Sequence, residues 1–525
     1  MMLHVAKDKK SEAYRLRFLH GIRFFSIVWV TAIHSYAANS HVWSSMTNWV
    51  KYADEWQNMI ATAGFISVDS FFFLSGFLLA AVVCKETRTG IIIFLFAVIR
   101  RLIRTMVPVF FFLMCLYLLP LITSGPNAKT YFQSVHKDFR SQWLVLLLQV
   151  QNYYFDINAD TRMFPHLWYL SVDFQFFLLS LLILLLLKNR PKIAVAIFAL
   201  LSLVGCTIAT WQVAVNDMTP FVVGVTESPS RLFRTGYRYY FYPFYHAVCY
   251  FSGCITFFLV AWFRERKIPK MFQIAAWLLA VASGLCCIFM KTAWYRTDNP
   301  TTEFGNLSTA FFDRILWSIC LIWITLACAT GRGGFLCKFL SWSAFTPLSR
   351  LAFGVYIVHF PFAHLTMHIS RERMFYSHFF ICCYFLRRSC FALERKLDYA
   401  LSLKVIHRVT MTLSRWSGSH EREQRAVERE PPERKCGRYE HCDSARPVSF
   451  FFYVLVWSFL ISYFMFIFCE APTGRLDKLM FEGRRATKEK DPKDEVPNAN
   501  GLSVVTVPLT RGSPSVSTTT TDIPT

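Results

Sequence analysis

The chain has 525 residues, of which 54% are hydrophobic and only 17% charged, with 53 phenylalanines and a net charge of +22. Soluble domains carry about 25% charged residues, so these figures, with repeated apolar runs of bilayer-crossing length, exclude an ordinary soluble protein. The positive charge can sit in short cytoplasmic turns, as the positive-inside rule expects, so nucleic acid is not needed to explain it and is not an expected partner.

The expected fold class is an all-α polytopic membrane protein with about ten transmembrane helices and both termini cytoplasmic. A polar, basic N-terminal segment, residues 1–17, shows no cleavable signal peptide. Spans are predicted over Leu19–Ala38, Met59–Cys84 and a third run past Pro108 to Ile122. Thr123 to Pro165 is mixed and tyrosine-rich; its apolar piece Trp143–Val150 is too short to cross and suits the interface. Further spans follow over His166–Lys188, up to Val215, over Phe244–Phe263 and Met271–Met290, up to Gly331, over Phe345–His368 and over Phe450–Phe468. Basic turns after the second, fourth, sixth and eighth spans set the orientation. The sole glycosylation sequon, Asn306-Leu-Ser, falls on the outer side, close to the membrane. The domain reading is then residues 1–17, a transmembrane domain over 18–369, a charged insert over 370–447, a last helix over 448–483 and a Pro/Ser/Thr-rich tail over 484–525. Both insert and tail have the composition of disordered chain. The insert is placed outside against its charge, because long loops translocate largely regardless of charge.

Charged and titratable residues inside apolar runs are the candidates for chemistry, since burying them in a bilayer is costly. Arg23 and His34 share one run. Eleven steps of about 100° put them on one helix face, about 16 Å apart along the axis. Arg101 and Arg104 are neighbours on one face, suited either to anchoring at the cytoplasmic side or to gripping phosphate oxygens. Asp69 lies near mid-bilayer and must find a partner or a proton. His166, Ser171, Asp173 and Gln175 crowd the fourth span, and His359 lies inside the ninth; all five are candidate cavity-lining residues. With the assigned orientation, His34, His166, Asp173 and His359 share the outer half, while Arg23, Arg100, Arg101, Arg104 and Arg350 gather at the cytoplasmic side. Many of the 16 cysteines sit in apolar runs, where Cys acts as a small hydrophobe, and no cluster has metal-ligand spacing, so no metal is expected.

In order along the chain, IRFFSIVWVTAIHS, SVDSFFFLSGFLLA, RRLIRTMVP, HLWYLSVDFQFFLL, PLSRLAFGVYIVHFP and CEAPTGRLDKLMF resemble the membrane acyltransferase-3 family, in its animal nose-resistant-to-fluoxetine-like branch. The resemblance covers Tyr14 to Ile369 and Phe450 to Gly483. It implies a ten-helix enzyme moving an acyl group to an acceptor, commonly a hydroxyl on the far side. The family's R-x10-H motif falls on Arg23 and His34, its RxxR on Arg101 and Arg104, and its aspartate before FF-x-LSG on Asp69. His34 and Asp69 are thereby candidate catalytic residues. Arg23, Arg101 and Arg104 are candidate donor-binding residues, with acyl-CoA as co-substrate and no resident cofactor. The expected location is the endoplasmic reticulum or the plasma membrane. Members of this branch usually begin with a Cys-rich outer region not seen here, and carry an arginine shortly after the proline that opens the sixth helix, where this chain has Pro243 and His246. The competing reading is a transporter whose intramembrane Asp, His and Arg form a substrate or proton path; the absence of an evident inverted repeat weighs against it.

Overall fold

The computed structural model describes residues 11–37, 59–86, 89–154, 163–216, 218–222, 234–295, 301–370 and 446–473. All lie within the compact unit Met1–Gly474; the second unit is Arg475–Thr525. The charged insert, apart from its first and last residues, and the tail therefore fall outside the described residues.

Among the described residues every regular element is a helix. Those that organise the fold are α1 Phe18–Ala37, α2 Ser67–Val83, α3 Ile91–Leu118, α4 Ala128–Leu147, α5 Trp168–Leu186, α6 Pro191–Asn216, α7 Pro243–Phe263, α8 Lys270–Phe289, α9 Glu303–Ala329, α10 Gly334–Leu340, α11 Phe345–Ile369 and α12 Arg446–Met465. Among the described residues eight helices are long and apolar enough to cross a membrane: α2, α3, α5, α6, α7, α8, α9 and α12, several lengthened by short flanking turns. The predicted ten also counted α1 and α11. These have 20 and 25 residues, which is length enough, but their arginines and histidines make them less apolar than the eight.

The polarity of the bundle is inverted relative to a soluble protein. Met271 and Leu278 on α8 are 77% and 68% exposed, while Asp69, Asp313 and His246 are 0% exposed. Large apolar side chains on the outside and charges at the centre match a hydrocarbon surround. Lipid supplies little drive for helix association, so close packing must hold the bundle. The tightest contact is between α2 and α7, where two glycines face the opposite backbone. A Cβ on Gly76 would sit 2.2 Å from the Tyr250 carbonyl oxygen, and one on Gly253 would sit 2.0 Å from that of Phe73. α7 also packs broadly on α6, and α11 on both α12 and α1.

Two elements depart from expectation. Thr123–Pro165 contains α4, a 20-residue amphipathic helix. Its polar residues break the apolar run, but Tyr131, Phe132 and Val135 are buried, and Tyr131 donates its hydroxyl to the Pro361 carbonyl at 3.0 Å. Asn306 lies inside α9 rather than in a loop; its Oδ1 accepts from Trp294 Nε1 at 3.0 Å and from Thr301 Oγ1 at 2.9 Å. At the basic side, Lys85 binds Glu12 and holds its carboxyl below the usual carboxylate range. This ties the short helix Glu12–Arg15 to the end of α2.

Candidate functional site

α1 carries both halves of the motif. Its run of Ile, Val and Phe makes it helical and membrane-compatible, and the helical repeat places Arg23 and His34 on one face. His34 meets two other histidines. His34 Nδ1 and His359 Nε2 form a 2.8 Å hydrogen bond, with the rings nearly coplanar and their centroids 5.0 Å apart. His166, in the turn Pro165–Leu167 ahead of α5, packs edge-on to His359 at 5.6 Å. Phe360 fills the space beside them, stacking on His166 at 5.1 Å and edge-on to His34 at 5.5 Å. His166 and His359 are buried, whereas His34 is half-buried.

The cluster depends on Pro361 inside α11. Pro361 has no N–H, so the Ile357 carbonyl one turn earlier lacks its helical donor. His166 Nε2 supplies the missing hydrogen at 3.3 Å, and the Tyr356 hydroxyl donates to the His166 carbonyl. Such an orphaned carbonyl would be expensive inside a bilayer. Here it becomes the anchor that brings α5 to α11.

Three turns from His34, Arg23 lies within electrostatic range of Arg104 and Tyr169. His20 bonds Ser349 and lies within range of Arg17, Arg23 and Arg350. Arg104 is exposed and also lies within range of Glu470, beyond α12. Arginines from α1, α3 and α11 therefore gather at the arginine end of the Arg23–His34 face.

The other arginine of RxxR is engaged differently. Arg101 forms an ion pair with Asp173, donates to Ser75 Oγ at 3.0 Å and stacks over Phe177 at 4.4 Å. Asp173 is thus the partner of Arg101. Ser171 and Gln175 are occupied as well. Gln175 Nε2 donates to the Gln149 carbonyl at 3.0 Å and to Asn152 Oδ1 at 2.8 Å, and Ser171 Oγ accepts from Gln151 N–H at 3.2 Å. They clamp the turn after α4, in which Gln149 has φ 57°.

Asp69 belongs to a different group from His34. Its Oδ1 lies 2.7 Å from His246 Nδ1 and its Oδ2 lies 2.7 Å from Arg314 Nε. Arg314 continues to Asp313 at 2.6 Å, and Lys291 reaches the other Asp313 oxygen at 2.8 Å. Tyr245 and Cys287 donate to the same carboxylate at 2.8 and 3.0 Å. The two carboxylates, the guanidinium and the ammonium balance in formal charge and are at most 3% exposed. This is the arginine pairing that an intramembrane Asp requires, spread over α2, α7, α9 and the end of α8. Lys291, Asp313 and Arg314 were not among the sequence candidates. The signal was present: Asp313-Arg314 is a charged dipeptide inside the apolar run FFDRILW, the same irregularity that singled out Asp69. Among the described residues no group of three or more His, Cys, Asp or Glu is arranged to hold a metal ion.

The chain is 25% identical to nose resistant to fluoxetine protein 6 of Caenorhabditis elegans over 72% of its own length and 48% of that protein. It is 24% identical to the peptidoglycan O-acetyltransferase OatA of Listeria monocytogenes over 58% of its length and 46% of that protein. The chain therefore spans about half the length of the curated relatives it matches. No solved structure matches it. Residues 16–386 match the acyltransferase-3 family model, an acyltransferase domain, and they include Arg23, His34, Asp69 and the RxxR arginines: the chain belongs to the acyltransferase-3 family.

Proposed function

We propose that this chain is a multi-pass membrane acyltransferase that moves an acyl group from acyl-CoA to a hydroxyl of a lipid or other acceptor. The observation that carries the reading is the position of His34. It is a half-buried imidazole with one nitrogen held by His359, on the same helix face as an arginine group three turns away. Arg23 and Arg104, with Arg17 and Arg350 nearby, supply the positive end that a phosphate-rich donor needs; guanidinium groups bind phosphate oxygens in pairs. Arg101 contributes by holding α3 to α5 through Asp173 rather than by direct contact with the donor. Asp69 supports the bundle from within the ion group and does not take part in the transfer.

In the proposed step the imidazole of His34 takes the proton of the acceptor hydroxyl as the oxygen attacks the thioester carbonyl. The new C–O bond forms, the C–S bond breaks, and the leaving thiolate collects the proton to give free CoA. An imidazole suits both halves, since its usual pKa lies near neutrality. Counting α1 and α11 with the eight apolar helices gives ten spans, and the arginine end faces the cytoplasm by the positive-inside rule. The donor then enters from the cytoplasm and the acceptor reaches His34 from the other side.

The transporter reading has less support. The ion group that could form a proton path is closed, with Asp69 and Asp313 at 0% exposure and each carboxylate engaged by a cation. The deciding experiment is CoA release from acetyl-CoA or palmitoyl-CoA by the purified chain in lipid nanodiscs. His34→Ala should abolish release, a loss of at least about a hundredfold, with donor binding intact. Arg104→Ala should weaken donor binding. Equal release by His34→Ala and wild type would refute the assignment, and proton-coupled uptake lost in Asp69→Asn without CoA release would establish transport.

A further inference from the structure

Two main-chain carbonyls of α11 decide how the histidine cluster is protonated. The Val355 carbonyl oxygen lies 3.0 Å from His359 Nδ1. A carbonyl can only accept, so Nδ1 of His359 carries hydrogen. An uncharged imidazole has one donor and one acceptor nitrogen, so Nε2 of His359 presents a lone pair. That lone pair lies 2.8 Å from His34 Nδ1. The other tautomer of His34 would set two lone pairs against each other at that distance. His34 therefore carries its hydrogen on Nδ1, and its lone pair is on Nε2. No hydrogen bond to His34 Nε2 occurs among the described residues. The Ile357 carbonyl acts on His166 in the same way: Nε2 donates to it, and Nδ1 is left as an acceptor with no partner among the described residues.

We infer that His359 is the positioning residue of His34: the Val355 carbonyl sets the tautomer of His359, and His359 in turn fixes His34 as the Nδ1–H form with Nε2 as the proton-accepting nitrogen. The inference rests on the proposed role of His34. The ring packing acts in the same direction. His359 is 1% exposed, so it is held inside α11 and does not reach a substrate. Its ring lies nearly coplanar with that of His34, at an interplanar angle of 21°, while Phe360 meets the His34 ring at 81°. Two fixed neighbours define the plane of the imidazole as well as its tautomer. The arrangement is a main-chain counterpart of the carboxylate that orients a catalytic histidine in hydrolases: there a charge fixes the ring, here a helix carbonyl does so through a second imidazole. Placing the orienting group on α11 also couples the basicity of His34 to the packing of α11 against α1.

The test compares wild type with His359→Phe, which keeps a ring but offers no acceptor, and His359→Gln, whose amide oxygen can accept from His34 Nδ1. Solid-state NMR of the full chain in lipid, labelled with 13C,15N-histidine and assigned by the loss of signal in His34→Ala, reads the tautomer directly. CoA release from acetyl-CoA reads catalysis. The expected result is an Nδ1–H tautomer for His34 in wild type and in His359→Gln, with a mixture in His359→Phe. His359→Phe should lower kcat by about tenfold to a hundredfold at a donor KM within about twofold of wild type, and His359→Gln should recover most of that loss. An Nε2–H tautomer of His34 in wild type overturns the inference, as does an equal kcat loss in the Phe and Gln variants, which would indicate packing alone. If no form releases CoA, acyl transfer fails as the function, while the tautomer spectrum still decides the positioning role.

Discussion

At the scale of single residues, the polar side chains inside this bundle divide into two groups with different physics. The ion group around Asp69 and Asp313 is closed, with each carboxylate paired to a cation. Breaking a buried pair leaves an uncompensated charge and costs about 3–5 kcal/mol, whereas replacing both partners by apolar groups of similar volume is often neutral. Asp69→Asn should therefore destabilise the protein by about 3–5 kcal/mol, because it leaves the Arg314 guanidinium short of one counter-charge. The double variant Asp69→Leu with Arg314→Met should regain part of that loss. Thermal unfolding in detergent, followed by tryptophan fluorescence, measures both. If Asp69→Asn were as stable as wild type but unable to release CoA, Asp69 would return to the catalytic group. The histidine group differs: it owes its order to carbonyls and ring packing, and His34 within it is half-buried.

At the scale of elements, α11 does most to shape the site. A proline that would weaken a soluble helix here exposes a carbonyl, and that carbonyl captures a side chain from another span. α2 and α7 set the frame in which this happens. Their glycines let backbones approach so closely that any Cβ must push them apart. Gly253→Ala should thus separate α2 from α7 and disturb the Asp69–His246 contact between them. The expected outcome is a marked loss of monodisperse protein in detergent by fluorescence-detected size exclusion, larger than for Gly236→Ala, where an added Cβ meets nothing within 4 Å. Comparable behaviour of the two variants would show that the interface relaxes.

At the scale of the whole molecule, the distribution of charge supports the proposed orientation. Arginines from α1, α3 and α11 gather near one end of the bundle, and the proposed donor entry lies there. Single-cysteine labelling in cells with a membrane-impermeant maleimide checks this. A cysteine introduced at Arg266, in the turn between α7 and α8, should label only after permeabilisation, and one at Thr301, just before α9, should label without it. The reverse pattern would turn the site over and place donor entry on the outer face.

The sequence by itself determined the helical membrane class, the positions of the eight most apolar helices, the family and the shared face of Arg23 and His34. All of these are local properties: apolar length, helical periodicity, and short motifs whose members lie within one or two turns. It did not determine partners. His34 meets His359 across 325 residues and Asp69 meets His246 across 177, and no periodicity connects positions so far apart. Asp69 therefore looked like a companion of His34 although it belongs to the ion group, and Arg101 looked equivalent to Arg104 although Asp173 holds it. α4 escaped notice because its buried face is interrupted by Asp138, whose partner, the Met163 N–H, is supplied only by the fold. The tertiary structure decided which charges neutralise one another and which imidazoles meet, because in a medium without water each buried polar group takes the partner that folding brings to it.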